Sequence, residues 1–533
     1  MIMKDRIVRA VLAVTVFLVG CGAAFAQSWS FANNLLTGSD GMVLNASLSG
    51  TEVKVTGVSK ANGLTTIDLR GQVTGPNGES YTIVEATINN ITGLKELYLP
   101  DTIRTLSGVA GITTLEKVEP FLPASMTSVP SFKQCSKLTG DLKLSNPKIT
   151  SIPTQYFRET AITSVDLGEC PITSIGSSAF VSCKSLKTVT PFLPSTVSFI
   201  GEYAFSGCSA LTGDLCLDNA SLKETGKSSF ASTKITSVDF GNSPIETIEN
   251  SFNSCGSVTN ITPFLPPTVK SLGTGQYGFG NKSGYPACQV AKVLHLNSPD
   301  LTSIPWGCFM NMPITGLDLT GSAVSSIVGH AFDGCKSLKT VEPFLPATVT
   351  TLGEGAFSGC PVTNDLTMAC ETSGEIGKSV FGGTKPPYIS LHEANLTSIG
   401  DNAFLNCGAK KVTLPASLKS IGMKGFNGNS FSEGCWFYGP KPSFGSYVFT
   451  PSGAACTGAF FFPKGDLTWE TYLADPTKNT VSDLTDAQKE KFKTMFPSVR
   501  RVPKKKVQIE KNGSAQYLCW WYPVPPGMTV IVR

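Results

Sequence analysis

A β-rich solenoid, closed by a β-rich N-terminal cap and a mixed α/β C-terminal cap, is the fold that three features of the sequence predict. The first is a short repeat. In the stretch 172–183 the residues Ile172, Ile175, Phe180 and Cys183 hold a spacing that returns at Val197, Ile200, Phe205 and Cys208, and again at Val324, Ile327, Phe332 and Cys335. It recurs at Val349, Leu352, Phe357 and Cys360, and at Leu396, Ile399, Phe404 and Cys407. Looser copies run through Phe132, Phe157, Phe230, Phe252, Phe279, Phe309, Phe381 and Phe426, so a large aromatic falls roughly every 22 to 30 residues. A fixed period of that length is the mark of stacked coils. The second feature is a longer period: Pro-Phe-Leu-Pro recurs at 120–123, 191–194, 263–266 and 343–346, at intervals of 71, 72 and 80 residues, so the duplicated unit is three coils. The third is an apolar spacing such as Ile162, Val165 and Leu167 ahead of each Phe segment, which reads as a strand.

Taken in order, residues 1–26 carry Lys4, Arg6 and Arg9, an apolar run from Ala10 to Val19, and Ala24-Phe25-Ala26 before Gln27. That arrangement is expected of a secretory signal peptide. Leu18-Val19-Gly20-Cys21 also resembles a bacterial lipobox, in which Cys21 would be lipidated and hold the chain to a membrane. Residues 27–92 alternate polar and apolar side chains at Glu52–Val55 and Tyr81–Val84, with Pro76-Asn77-Gly78 between. Strands joined by turns follow, and their role is to cover the open edge of the first coil.

Residues 93–430 hold the coils. Each has a first strand, a second short strand or turn at Ile-x-x-Ile, and a tight segment that ends in Phe and Cys. Gly176, Gly201, Gly353 and Gly400 are expected to let the backbone turn there. In the Pro-Phe-Leu-Pro coils two prolines remove backbone donors, so the first strand must end early or stand at a ladder edge. The extra residues of the 80-residue interval, near 275–286, read as a surface loop. Fifteen or sixteen coils at about 4.8 Å each give an array on the order of 75 Å long. In 431–533 the repeat decays through Trp436-Phe437-Tyr438 and Phe460-Phe461-Phe462-Pro463. Thr485-Asp486-Ala487-Gln488 has capping-box form and predicts a helix over 485–496, stopped by Pro497. The basic run 500–506 reads as a solvated linker, and Tyr517 to Arg533 as strands docking on the cap.

Composition narrows the function. Charged residues are 15%, against a usual ~25%. The net charge is +4, part of which belongs to the basic start, so neither nucleic acid nor an anionic membrane is implied as a partner. No later segment reaches the ~20 apolar residues of a spanning helix. Of sixteen cysteines, Cys135, Cys183, Cys208, Cys255, Cys335, Cys360 and Cys407 sit three residues after the repeat Phe. A small apolar residue at one fixed site per coil is expected in a stacked core, so these read as buried thiols. The others show no Cys-x-x-Cys pairing, and no metal or cofactor site is expected. Only His295, His330 and His392 are available as imidazole bases, and no nucleophile, zinc-protease or phosphate-binding pattern appears. His330 stands where other copies have Ser178, Tyr203, Gly355 and Asn402, which reads as surface variation. Catalysis is not expected.

The combination Ile175-Gly176, Ala179-Phe180 and Cys183, repeated through ITSIGSSAFVSCKSLKTVTPFLPSTVSFIGEYAFSGC, resembles the BspA-like leucine-rich repeats of bacterial surface proteins. The resemblance spans about 93–430. It implies a right-handed leucine-rich repeat solenoid, secreted or displayed at the cell surface, among relatives that bind host or bacterial surface proteins or glycans. The three-coil super-repeat departs from the simple family pattern, so no binding face carries over. The residues themselves offer one candidate. Asp166, Asp239 and Asp318 fall between core positions of the first strand, one triplet apart, and form a candidate acidic contact stripe. Adhesion or interaction is the expected role. A surface lipoprotein that captures a glycan or nutrient through Cys21 anchoring, and an enzyme with its site in the last hundred residues, are the other readings.

Overall fold

In a computed structural model, residues 27–449 are described apart from 61, 62, 64, 90, 145, 169, 274–275, 282–285 and 369–373, together with 459–463, 486 and 518–522. The expected signal peptide, Cys21, the basic run and, except for Asp486, the expected helix lie outside the described residues. From Thr66–Asp68 onward the chain is a stack of coils whose strands pair in parallel along two faces.

Leu142, Val165 and Val189 lie side by side along the first face, with both flanking residues of each strand outward. The second face runs through Ile152, Ile175, Ile200, Thr225 and Ile248. The third side is the tight segment, and it is laddered too: Ser178 N–H donates to Glu202, Phe180 to Ala204 and Ser182 to Ser206, all at 2.7–2.8 Å. Thus backbone groups are satisfied from coil to coil on every side, as burial demands.

The repeat phenylalanines form one column inside. From Phe132 to Phe449 successive rings lie 4.9–6.0 Å apart, and between Phe157 and Phe252 their planes agree within 9°. Stacked coils carry identical side chains a strand spacing apart, so offset stacking is the packing that the period imposes.

The tight segment turns at residues the sequence does not advertise. Two positions before the ladder phenylalanine, Gln155, Ser178, Tyr203, Ser228, Asn250, Tyr277, His330 and Asn402 all have φ between 51° and 67°. Two positions after it, Gln134, Glu159, Ser182, Ser232 and Ser254 do the same. Asn, Ser and other short polar residues tolerate this left-handed geometry better than branched ones. Gly176, Gly201, Gly353 and Gly400, expected to make the turn, do not. They lie where coils touch: a Cβ on Gly353 would stand 2.3 Å from the amide nitrogen of Gly329, and one on Gly201 2.4 Å from that of Ser177. Their role is close approach.

The prolines break one ladder. Strands Lys117–Glu119, Thr188–Thr190, Asn260–Thr262 and Thr340–Glu342 each end at the Pro of Pro-Phe-Leu-Pro, across a cis bond, and each is the edge of a three-stranded sheet. In the other coils the residue at that place donates to the next coil, as Leu144 does to Asp166 O and Leu167 to Thr190 O. Proline has no such donor. The second face continues past the breaks at Pro191 and Pro343, in sheets of five and seven strands. Side chains bridge the interrupted rungs: Phe192 packs 5.9 Å from Phe205 and 6.0 Å from Phe230, one ring in its own coil and one in the next. Buried Asn219 donates back to the carbonyls of Pro194 and Val197 at 3.1 and 2.8 Å, and Asn146 repeats this toward Pro123 and Met126.

At the N-terminal end the strand Glu52–Lys60 closes on Ser80–Thr87 in parallel, so strands between residues 29 and 87 make a ring, and Ser80–Thr87 then pairs with Thr105–Ser107. Trp29, 1% exposed, fills that ring and donates its indole N–H to Asp68 O at 2.9 Å. At the other end Gly434–Phe437, Ala459–Pro463 and Leu518–Tyr522 extend the first face in parallel.

The seven periodic cysteines are buried free thiols. Each has a partner: Cys135 Sγ donates to Val109 O at 3.1 Å, and the Sγ of Cys183, Cys208, Cys255, Cys335, Cys360 and Cys407 donates at 2.9–3.1 Å to the carbonyl of a ladder phenylalanine in the preceding coil. Thr160, Thr233 and Thr384 take the same place in other coils and bond their own coil's Phe carbonyl. Burial pushes the Cys255 thiol up to about 11 and Cys407 up to about 12. Raised values leave only about 1% or less as the reactive thiolate at pH 9. Labelling the folded protein with iodoacetamide at pH 8 and mapping the peptides is therefore expected to modify exposed Cys216 and spare Cys255, Cys308 and Cys407 until denaturant is added.

Candidate functional site

The first face brings the three predicted aspartates to the outer surface of their strands, Asp166 on Ser164–Asp166, Asp239 on Lys234–Asp239 and Asp318 on Gly316–Asp318. Their carboxylates are engaged locally. Asp166 Oδ1 accepts from Gly168 N–H, Asp239 Oδ1 from Gly241 N–H and Asp318 Oδ1 from Thr320 N–H, each at 2.9 Å. This is an Asx turn that closes the strand, and it leaves the second oxygen of Asp166 and Asp239 outward. Asp318 Oδ2 also meets His295 Nδ1 at 2.9 Å. The bonds to Thr320 and then to His295 hold the Asp318 carboxyl below its ordinary range. Along the column, Thr190 registers beside Asp166, Cys216 and Thr262 flank Asp239, and His295 and Glu342 flank Asp318. Asp166 therefore stands between Lys143 and Thr190 and Asp239 between neutral side chains, whereas Asp318 lies beside a second carboxylate, Glu342.

A second pair of carboxylates, missed by spacing alone, lies on the parallel column. Asp141 Oδ1 accepts from the hydroxyls of Ser164 at 2.5 Å and Thr163 at 3.1 Å, and Asp214 Oδ1 from Ser237 at 2.6 Å and Thr236 at 3.1 Å. Those hydroxyl donors hold both carboxyls below the usual aspartate range. The signal was present in Thr139-Gly140-Asp141 and Thr212-Gly213-Asp214, but the partner hydroxyls belong to the next coil, and only stacking shows them. Beside Asp214 and Asp239, with Cys216, Ser237, Asn260 and Thr262, the face carries a shallow trough of about 340 Å³.

The three imidazoles are separate from one another. His295 is exposed beside Asp318; half-buried His330 pairs with Asp333 Oδ2 at 3.0 Å; His392 lies between Ser390 and Thr413 hydroxyls, both at 3.1 Å, and stacks on Tyr438 at 5.3 Å. His330 adopts φ 56°, which accounts for the company of Ser178, Gly355 and Asn402 at that position. Among the described residues no three His, Cys, Asp or Glu side chains are placed to hold a metal ion, and no helix is long and apolar enough to cross a membrane.

Comparison with known proteins follows the coils. The chain is similar in structure to a leucine-rich repeat protein from Bacteroides ovatus, with 19% identity over 81% of this chain and 94% of that one, at a TM-score of 0.44. A leucine-rich cell surface protein from Faecalibacterium prausnitzii is similar at 20% identity over 74% and 90%, with a TM-score of 0.31. The pneumococcal vaccine antigen PcpA is similar at 17% identity over 83% and 96%, with a TM-score of 0.34. No curated protein matches. The sequence pattern of the BspA type leucine-rich repeat region matches in six copies, over residues 72–187, 116–211, 173–282 and 302–449. Those stretches join into 72–282 and 302–449, about two thirds of the chain, and they coincide with the stacked coils. By that repeat the chain belongs to the BspA type leucine-rich repeat family.

Proposed function

We propose that the protein is an exported binding module of a bacterial surface, working through the outer side chains of its coils and carrying no catalytic centre. The observation that carries this reading is the first face itself. Its outward residues include carboxylates and hydroxyls held in place by coil-to-coil bonds, such as Asp141 to Ser164 and Asp214 to Ser237. Side chains ordered before a partner arrives lose little entropy on binding, which favours recognition over a broad surface. Asp166, Asp239 and Asp318 contribute contact points that recur once per triplet. The start of the sequence supports export, with cleavage before Gln27 preferred over a lipid on Cys21.

The first test is N-terminal sequencing and intact mass of the protein from its native cell. The expected result is Gln27 as the first residue of extracellular or surface-associated protein; an unprocessed Met1 in the cytoplasm would sink the reading. The second is binding of fluorescent protein to whole host and bacterial cells. Replacing Asp166, Asp239 and Asp318 together by Asn keeps each Asx acceptor and removes charge, and it is expected to weaken cell binding about tenfold, given ~0.5–1 kcal/mol for each exposed charge contact. Unchanged binding would remove the stripe from the contact surface.

A further inference from the structure

A row of aromatic rings stands on the turn side, away from the first face. Tyr277 lies two residues before Phe279, Trp306 three before Phe309 and His330 two before Phe332, on three consecutive coils. Their centroids are 5.0 and 5.2 Å apart, edge to face at 86° and 61°. Each ring rests on a glycine of the next coil. A Cβ on Gly307 would meet the Tyr277 ring at 3.2 Å, one on Gly329 the Trp306 indole at 3.3 Å, and one on Gly355 the His330 ring at 2.8 Å. The three glycines make room for three rings, so the row is built into the fold. Elsewhere the same turn carries Ser177, Ser178, Ser228 or Ser379, and also Tyr203 and Tyr447, which lie outside this row.

The rings are half-buried, and the His330 side chain keeps 31% of its surface exposed. Among the described residues the Tyr277 hydroxyl, the Trp306 indole N–H and His330 Nε2 have no hydrogen-bond partner, and the indole edge that carries the N–H lies against Gly329 of the next coil. Asp333, itself 31% exposed, holds His330 Nδ1 at 3.0 Å and adds a carboxylate acceptor beside the row.

We propose that this row is a saccharide-binding strip that takes a neutral glycan chain along the solenoid, about one pyranose ring per coil. The assignment rests on the reading of the protein as an exported binder and names one of its ligands. An aromatic body with a polar tip suits a ligand whose every unit has an apolar C–H face and a rim of hydroxyls. The nearly constant step between rings suits a ligand that itself repeats. Because glycine contacts already hold the rings, binding does not have to order them.

The test uses full-length mature protein in native gels containing neutral polysaccharides, namely β-glucan, xylan, galactomannan and dextran. Tyr277→Ser, Trp306→Ser and His330→Ser install residues that the chain already uses at this turn, and thermal unfolding of each variant confirms that the coils are kept. The expected result is retardation of the parent protein by at least one polysaccharide, about fivefold weaker for a single variant and absent in the triple variant. No retardation of the parent by any of the four, or equal retardation of the triple variant, overturns the strip. If the parent is not retarded yet the triple variant loses binding to whole cells, the row takes a protein and the glycan assignment fails. Cell binding retained without retardation sinks the strip alone and leaves the broader reading standing.

Discussion

Phe205→Ala is expected to cost about 3–5 kcal/mol and to divide the unfolding of the protein into two steps. Phe205 is fully buried, with its ring 5.2 Å from Phe180 and 5.7 Å from Phe230, each nearly parallel to it, and a third ring, Phe192, at 5.9 Å. The cavity cannot collapse easily, because the segment around it is hydrogen-bonded on both sides, Phe180 N–H to Ala204 O and Phe205 N–H to Ser229 O. In a solenoid, stability is close to a sum of coil terms and nearest-neighbour interfaces. A loss in a middle coil therefore weakens two interfaces at once and uncouples the coils before it from those after. Urea unfolding followed by circular dichroism should broaden or become biphasic, and hydrogen exchange at the amides of Phe180 and Phe205 should accelerate. Phe199 is the control: it is 40% exposed on the second face, so Phe199→Ala should stay within about 0.5 kcal/mol. Comparable losses for the two substitutions would mean that the ring column does not organise the stack.

Gly353→Ala is the second large effect, expected at about 2–3 kcal/mol although it adds one methyl group. That methyl would lie 2.3 Å from Gly329 N and 2.8 Å from Gly329 Cα, both backbone atoms of the preceding coil. Neither can rotate away. Relief requires the coils to separate where Gly353 N–H donates to Ile327 O at 2.8 Å, so the second-face ladder gives way with them. Gly408 offers the contrast. Its φ is 70° and a Cβ there would meet nothing within 4 Å, so Gly408→Ala pays only for left-handed backbone, about 1 kcal/mol. Thermal melts of the two variants separate crowding from strain, and a smaller loss for Gly353→Ala than for Gly408→Ala would refute the close-approach role.

These glycines show how far sequence reasoning reaches. Ser-Ile-Gly invites the inference of a turn, because glycine is the residue of unusual φ. The turn is instead made by Ser178, Tyr203, His330 and Asn402, whose variety looks like free surface variation until their shared φ of 55–57° is seen. The prolines were more legible. A missing donor is a local property of the residue, so the ladder break at Pro120, Pro191, Pro263 and Pro343 follows from the motif alone. What spans the break does not: Asn219 reaching back to Pro194, and Phe192 reaching forward to Phe230, join residues 25 and 38 positions apart.

The candidate site divides the same way. Asp166, Asp239 and Asp318 could be placed outward by alternation, since strand geometry has period two. Their Asx bonds, the hydroxyl partners of Asp141 and Asp214, and the contact between Tyr277, Trp306 and His330 could not. Tyr277 and His330 share one offset from their ladder phenylalanines but Trp306 between them holds another, so no single register of the repeat aligns all three. By itself the sequence determined the coil, its period, its aromatic and thiol core and the place where its ladder breaks, because each depends on residue type at fixed spacing. Only the tertiary structure decided which atoms meet between coils. Stacking sets each residue beside another some 20 to 30 positions away at a separation of one strand, and the clearances that choose glycine, thiol or aromatic ring exist only once the coils are in register.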